Sequence, residues 1–286
     1  MRRRMGLAMG MLSLLWLAQG SLGHAKDTEE KSIWITRTCA GADEKSPCLS
    51  TPVSKKSPLS WQAVLAPIAP GIRLNKDEEI VADKLTQPPS ELKGVTCNYG
   101  EAVTFHEIQV YPAPNAYLAL LNTEMCVILA KFRSEPPYQL VSSMTISDMG
   151  GPEMGGMAHY FIKIFEMSPQ AILIDILSLH ANSNESYANY LLILSTGDRL
   201  SLAYDGPRLY GFHTERESSV AWSMSMDLLH SSHGPYKDLS MDATEIIDQK
   251  TKRHYRWTIA WDGAKGKYMG GNLQLQKLVN AMTKEN

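Results

Sequence analysis

The feature that most constrains the fold is the alternation of apolar and polar residues in three segments between positions 199 and 261. In the segments RLSLAY, AWSMSMDL and HYRWTIAW, an apolar side chain recurs at every second position. This period of two puts the apolar side chains of a β-strand on one face, where they can be buried. The residues predicted to point inward are Leu200, Leu202, Tyr204, Trp222, Met224, Met226, Leu228, Tyr255, Trp257, Ile259 and Trp261.

Strand-like runs separated by turn sequences extend over most of the chain from Tyr138 onward. STGD, DGP and DGAKG lie between these runs and are typical of hairpin turns. The run AILIDILSL is evenly apolar, which predicts a strand covered on both faces. We therefore expect a mainly β protein with an antiparallel, meander-type sheet of about seven to nine strands in this part of the chain. A sandwich, a half-barrel and a small propeller all fit this pattern.

The preceding part of the chain, 26–137, is irregular and punctuated by prolines, which prevent long regular elements. SIWITRT and AVTFHEIQVY predict strands, and LSWQAVLA predicts a short helix with Ser60 as its N-cap. NAYLALLNTEMCVILAKF favours a second short helix capped by Asn115, because its apolar residues recur at helical spacing. A hairpin that turns at Asn122 and Thr123 is the alternative.

The start of the chain has the three parts of a secretory signal. Arg2 to Arg4 are basic, an apolar run extends from Met5 to about Ala18, and Gly23-His24-Ala25 supplies small residues at a cleavage site. An uncleaved membrane anchor is the alternative. This apolar run is shorter than the roughly 20 residues of a spanning helix, so we favour a signal peptide at 1–25.

The chain that remains after cleavage contains at most two regions. We predict a disulfide-bearing, proline-punctuated region at 26–137 and the antiparallel β region at 138–286, with one continuous domain over 26–286 as the alternative. A chain of this size can bury a large core without a metal or partner. The protein is expected to be soluble and to lie in the periplasm or outside the cell.

The charge balance argues against two classes of partner. The full chain has 28 Lys and Arg against 30 Asp and Glu, and loss of the three signal arginines leaves 25 against 30, a formal charge of −5. Nucleic acids and anionic membranes are bound by massed basic residues. We therefore expect no nucleic-acid partner and no membrane association after cleavage.

Four cysteines follow the signal, an even number in an oxidising compartment, so two disulfides are predicted. We favour Cys39 with Cys48, because a glycine and a proline between them suit a small loop, and hence Cys97 with Cys126. The spacing leaves two other pairings open. Each bridge would stabilise the fold by about 2–4 kcal/mol through loop-closure entropy. A zinc or redox site is the alternative, but the C-x-x-C spacing of such sites is missing.

The glycine-rich segment SDMGGPEMGGMAHY carries four candidate ligands for a soft metal, Met149, Met154, Met157 and His159. Methionine thioethers select Cu(I), which an exported protein could meet. The paired glycines and Pro152 favour instead a long connection between two strands, either an ordinary loop or one whose methionines contact a partner. We favour the loop, and predict no bound cofactor.

Other chemically capable residues lack the spacing that would identify a site. His230 and His233 have aspartates nearby but no third zinc ligand, so we interpret them as exposed turn residues. His106 and Glu107 begin a metalloprotease-like pattern, but Val110 occupies the place of its second histidine. The sequence contains no nucleophile elbow, phosphate-binding glycine loop or calcium loop.

These observations favour an exported, non-enzymatic binding or interaction module whose loops contact a protein or a glycan. An exported hydrolase is the first alternative, because the members of a catalytic triad need not be neighbours in sequence. Periplasmic copper handling through the Met/His segment is the second alternative.

Overall fold

The computed structural model describes residues 32–285, with the exception of 38, 41, 56, 89, 92–96, 98, 124–125, 148–156, 182–184, 208, 213–219 and 249. The predicted signal peptide lies outside the described residues. Among the described helices, none is long and apolar enough to cross a membrane. The described chain is mainly β, with largely antiparallel sheets, as the sequence predicts.

The first sheet contains eight strands from the N-terminal half of the chain. They are β1 (Ile33–Trp34), β2 (Arg73–Leu74), β3 (Ile80–Ala82), β4 (Ser90–Glu91), β5 (Val103–Ala113), β6 (Ala116–Thr123), β7 (Val127–Arg133) and β8 (Leu140–Ser147). Their order is β2-β3-β5-β6-β7-β8-β4, with β1 beside β5. Neighbouring strands are antiparallel except β4 and β8.

The short helix α1 (Trp61–Leu65) covers one face of the first sheet. The Ser60 side chain accepts a hydrogen bond from Ala63 N–H at 3.3 Å, which confirms Ser60 as the N-cap. The buried side chains of α1 pack in one cluster with Phe105 and Phe132 of the sheet. The apolar face of this short helix is therefore held by packing, since so short a helix is not stable alone.

The second sheet is a five-stranded antiparallel meander. It consists of β9 (Met157–Ser168), β10 (Ala171–Ala181), β11 (Glu185–Thr196), β12 (Arg199–Asp205) and β13 (Leu209–Phe212). β12 and β13 both pair with β11, so they form one edge that is interrupted at Gly206 and Pro207. At this interruption Gly206 N–H donates to the Tyr190 carbonyl oxygen at 2.8 Å.

The third sheet contains four antiparallel strands, followed by a C-terminal helix. Its elements are β14 (Val220–His233), β15 (Tyr236–Ile247), β16 (Lys250–Asp262), β17 (Lys267–Met269) and α2 (Leu273–Glu285). The alternation predicted for β14 and β16 is confirmed, because Trp222, Met226, Trp257 and Ile259 are buried. The sequence prediction missed α2, which begins directly after Asn272.

The three sheets are stacked, and the part of the second sheet around residues 171–176 of β10 is covered on both faces. Ile172, Ile174 and Ile176 of β10 pack against the first sheet. Leu173 packs on the opposite side, in a cluster with side chains of the third sheet and α2. Every residue from 171 to 176 is buried, which confirms the prediction of a strand covered on both faces. The predicted meander is therefore divided between sheets that share this central layer.

The segment predicted to form a helix from Asn115 is instead the hairpin of β6 and β7, so that prediction is wrong. Leu120 packs toward the second sheet and Leu121 toward α1. A strand buried on both faces loses its alternation, and its apolar residues then match helical spacing as well. The turn is fixed by Thr123, whose N–H donates to the Cys126 carbonyl oxygen at 2.9 Å.

A β-bulge in β12 changes the face that Tyr204 occupies. In the ladder with β11, Leu202 pairs with Ile193 and Tyr204 pairs with Leu192, so Ala203 between them has no partner in β11. An extra residue of this kind reverses the alternation. Leu200 therefore packs on the side of the first sheet, whereas Tyr204 packs on the side of the third. The prediction that these two residues share a face is wrong.

Two disulfides, Cys39–Cys48 and Cys97–Cys126, join the cysteines in the pairing that the spacing favours. Their Cα–Cα distances are 5.1 and 5.5 Å, in the usual range for disulfides. The first closes a loop beside β1. The second attaches the chain before β5 to the turn between β6 and β7, where Cys126 is fully buried.

Candidate functional site

A cleft of about 240 Å³ opens between the end of β12, the middle of β16 and the start of α2. One wall is the segment 204–207, and the other is formed by 270–272 together with Leu275 and Gln276. Trp257 of β16 lies between the two walls. The cleft is therefore assembled from three parts of the chain that are distant in sequence.

The first wall depends on a tight approach between neighbouring backbones. A Cβ atom at Gly206 would lie 2.7 Å from the Tyr190 carbonyl oxygen, so only glycine fits without a shift of the strand. The Tyr204 hydroxyl accepts a hydrogen bond from Trp257 Nε1 at 3.4 Å, which links this wall to β16. Burial raises the pKa of Tyr204, so the phenol stays neutral over the physiological range.

The second wall is held against β16 by Gly270 and Asn272. Gly270 has φ of +144°, and a Cβ atom there would lie 2.4 Å from the Thr258 carbonyl oxygen. Asn272 Oδ1 accepts hydrogen bonds from the N–H groups of Gln274 and Leu275 at 3.0 and 3.1 Å, and so caps α2. Its Nδ2 donates to a carbonyl oxygen of β16 at 3.3 Å.

Exposed apolar side chains flank the second wall. Three large hydrophobic residues are exposed on the described surface, and two of them, Met269 and Leu273, lie on either side of the segment 270–272. Leu273 is 81% exposed. The third, Trp34, lies in β1 of the first sheet. Exposed apolar residues beside a cleft are typical of binding sites.

No protein-family model, curated protein or solved structure matches this chain. The chemistry of the candidate sites is therefore derived from their geometry.

A buried polar pair lies behind the cleft, between the second and third sheets. Asp175 of β10 and Tyr190 of β11 are both buried, and Tyr190 also supplies the carbonyl oxygen that holds Gly206. Burial raises the pKa of Asp175 to about 7, although Tyr190 and Lys163 lower it. The Tyr190 side chain is thus close enough to affect the pKa of Asp175. Neither Asp175 Oδ1 nor the Tyr190 hydroxyl, however, makes a hydrogen bond of good geometry with a described residue.

Lys131 and Ser195 form a contact that could suggest hydrolase chemistry. Lys131 Nζ donates to Ser195 Oγ at 2.6 Å and to the Gly197 carbonyl oxygen at 2.7 Å, and burial lowers the pKa of Lys131. A desolvated lysine beside a serine can activate that serine as a nucleophile. However, Ser195 is only 1% exposed, so a substrate cannot reach it. The two hydrogen bonds instead join β7 of the first sheet to the end of β11 and to the turn that follows it.

The histidines and aspartates near residue 233 separate into two pairs. His233 Nδ1 lies 2.8 Å from the buried carboxylate of Asp238, whereas Asp242 pairs with His254 and Arg256 of β16. Desolvation raises the pKa of Asp238, but hydrogen bonds from His233 and Ser231 outweigh it and lower the pKa overall. Within the described part of the chain, no group of three His, Cys, Asp or Glu residues could hold a metal ion.

Most of the Met/His segment lies outside the residues that the structure describes. Met149 and Met154 lie outside the described residues, and Met157 and His159 are placed only as backbone of β9. The copper hypothesis therefore stays a prediction. His106 and Glu107 lie on β5, whereas the metalloprotease pattern requires a helix.

Proposed function

We propose that this chain is an exported binding protein without catalytic activity, and that the cleft between the segments 204–207 and 270–272 is its ligand site. The observation that carries this proposal is the pairing of an open cleft with the exposed apolar residues Met269 and Leu273. Such residues favour contact with a ligand, because water solvates them poorly.

The composition of the cleft supports binding over catalysis. Its described lining residues include no Ser, Thr, Cys, Lys or His, and the titratable groups among them are those of Tyr204 and Asp205. Nucleophilic catalysis requires an activated hydroxyl, thiol or amine, or a carboxylate placed against the substrate with an acid partner. The two disulfides are consistent with an oxidising compartment, which supports the exported location.

Gly271 offers a direct test of the site. It lines the cleft, and a Cβ atom there would have no heavy atom within 4 Å, so Gly271→Trp should fill the cleft without damaging the fold. Gly100→Trp is the matched control, because Gly100 also has open space around it and does not line the cleft. Both variants should keep the melting temperature of the wild type.

Ligand-observed NMR with a panel of short peptides and neutral oligosaccharides would supply the readout. We expect compounds that bind the wild type and Gly100→Trp but lose at least tenfold in affinity for Gly271→Trp. A panel member bound equally by all three proteins would place the ligand site elsewhere. Conversion of a bound compound to product would contradict the absence of catalysis.

A further inference from the structure

Among the described residues that line the cleft, Asp205 is the one with a charged side chain. Asp205 is exposed, and its side chain makes no hydrogen bond or ion pair with another described residue. The other described lining groups are neutral. A carboxylate in such a setting attracts a positive charge and repels a negative one. Its position on the 204–207 wall places this charge at the site of the proposed function.

The start of α2 does not offset this charge. A free helix N-terminus would attract anions through its N–H groups. Here Asn272 Oδ1 already accepts from the N–H groups of Gln274 and Leu275, and Gln276 N–H donates to the Asn272 carbonyl oxygen at 2.9 Å. Three N–H groups that would bind a phosphate or carboxylate, those of Gln274, Leu275 and Gln276, are therefore occupied.

Two aromatic side chains complete the chemistry of the cleft. Trp257 and Tyr204 both line it, and the indole N–H is used in the hydrogen bond to the tyrosine hydroxyl. An aromatic ring attracts a cation through its π-electrons, and tryptophan does so most strongly. Aromatic rings and a nearby carboxylate together suit ammonium and guanidinium groups.

We propose that the cleft selects a cationic group, an ammonium or a guanidinium, carried by a ligand whose apolar part contacts Met269 and Leu273. This inference rests on the proposed function, because it assigns the ligand chemistry of the same site. A lysine or arginine side chain in an extended peptide presents such a group, and a free amine presents it without the peptide.

Capped pentapeptides Ala-Ala-X-Ala-Ala, in which X is Arg, Lys, Gln or Glu, together with free butylamine, test this selectivity. Their binding is followed by the indole N–H resonance of Trp257 in a ¹⁵N–¹H spectrum, assigned with a Trp257→Phe variant. We expect the Arg or Lys peptide to bind at least tenfold more tightly than the Gln peptide, and the Glu peptide to give no saturable shift.

Asp205→Asn should abolish the preference for Arg and Lys over Gln. The control is Asp77→Asn, which makes the same charge change at an exposed carboxylate in the turn between β2 and β3. If the Gln peptide binds as tightly as the Arg and Lys peptides, or Asp205→Asn keeps the preference, the cation selectivity is wrong while the cleft stands as a binding site. If Gly271→Trp binds the Arg peptide as the wild type does, both proposals are wrong.

Discussion

Asp175 places a carboxyl group in the closely packed layer between the second and third sheets. It lies opposite Lys163 in the ladder of β9 and β10, and the Tyr190 ring lies on the same side of the sheet. Because water is excluded there, the charged form of the carboxyl is disfavoured, and its pKa rises from 3.8 to about 7. The protonation of this one group therefore differs between the folded and unfolded chain.

The raised pKa of Asp175 predicts a stability that falls as the pH rises. Between pH of about 4 and 7 the folded protein keeps a proton on Asp175 that the unfolded chain has released. The free energy of unfolding should therefore decrease with pH in this window, by up to about 1.4 kcal/mol per pH unit from this group, and level off above it. Asp175→Asn should remove this slope and be more stable than the wild type at pH 8. Urea unfolding of both proteins at several pH values measures the difference.

The contribution of Asp175 is isolated by comparison with Asp77→Asn, whose carboxylate is exposed. This control should follow the wild-type pH profile. Parallel profiles for the wild type and Asp175→Asn would mean that folding does not raise the pKa of the Asp175 carboxyl.

The chain segment that connects β17 to α2 fixes one wall of the cleft. Gly270 approaches the backbone of β16 so closely that a methyl group would meet the Thr258 carbonyl oxygen. Asn272 then caps α2 and donates to the same strand. The position of the helix thus depends on two consecutive contacts with one strand.

Gly270→Ala should weaken the attachment of α2. The added Cβ atom would clash with backbone, and φ of +144° is strained for alanine, so we expect a loss of about 1–3 kcal/mol in the free energy of unfolding. Gly271→Ala is the adjacent control and should change stability by no more than about 0.5 kcal/mol. Chemical denaturation measures both. Equal stability of the two variants would show that the backbone at 270 relaxes without cost.

Single-sequence patterns predicted the strands that bury one face and also the doubly covered β10, but they failed for the doubly covered hairpin of β6 and β7. The alternation of β14 and β16 is visible because their outer faces contact solvent, and Trp222 and Trp257 are buried as expected. β6 and β7 lack such an outer face, so their leucines suggested a helix. The helix α2 has an identifiable signal in NLQLQKL, where Asn272 precedes apolar residues at helical spacing.

The second sheet connects two hydrophobic cores of the molecule, one shared with the first sheet and one with the third. Ile174 and Leu173 are adjacent in β10, yet one packs in the cluster shared with the first sheet and the other in the cluster shared with the third. Lys131 adds a polar contact between the first two sheets. These contacts favour cooperative unfolding of the stacked sheets. The division of the chain into regions 26–137 and 138–286 stays a prediction.

Ile174→Ala and Leu173→Ala should each destabilise the whole molecule by about 2–5 kcal/mol, because each leaves a cavity in a different core. If the sheets unfold together, both variants should show one transition, with the same midpoint by tryptophan fluorescence and by far-ultraviolet circular dichroism. Two separate transitions for either variant would mean that the first sheet folds independently of the others.

The cleft could not be predicted from the sequence, because its walls come from parts of the chain that are distant in sequence. Its walls come from residues 204–207, 257 and 270–276, and their meeting depends on the bulge at Ala203 and on the docking of α2. Neither the bulge nor the helix follows from the alternation of β12 and β16. The disulfide pairing was easier to predict from the sequence, because the short loop between Cys39 and Cys48 favours one of the three possible pairings.

The edge of the second sheet formed by β12 and β13 is interrupted, which affects edge-to-edge association of two molecules at high concentration. Fibres grow when one sheet edge offers an unbroken row of backbone donors and acceptors to the next copy. Between β12 and β13, Pro207 has no N–H to offer, and Gly206 N–H already donates to Tyr190 within the molecule. Copies therefore find no continuous template along this border, so edge-to-edge pairing of two molecules is disfavoured there.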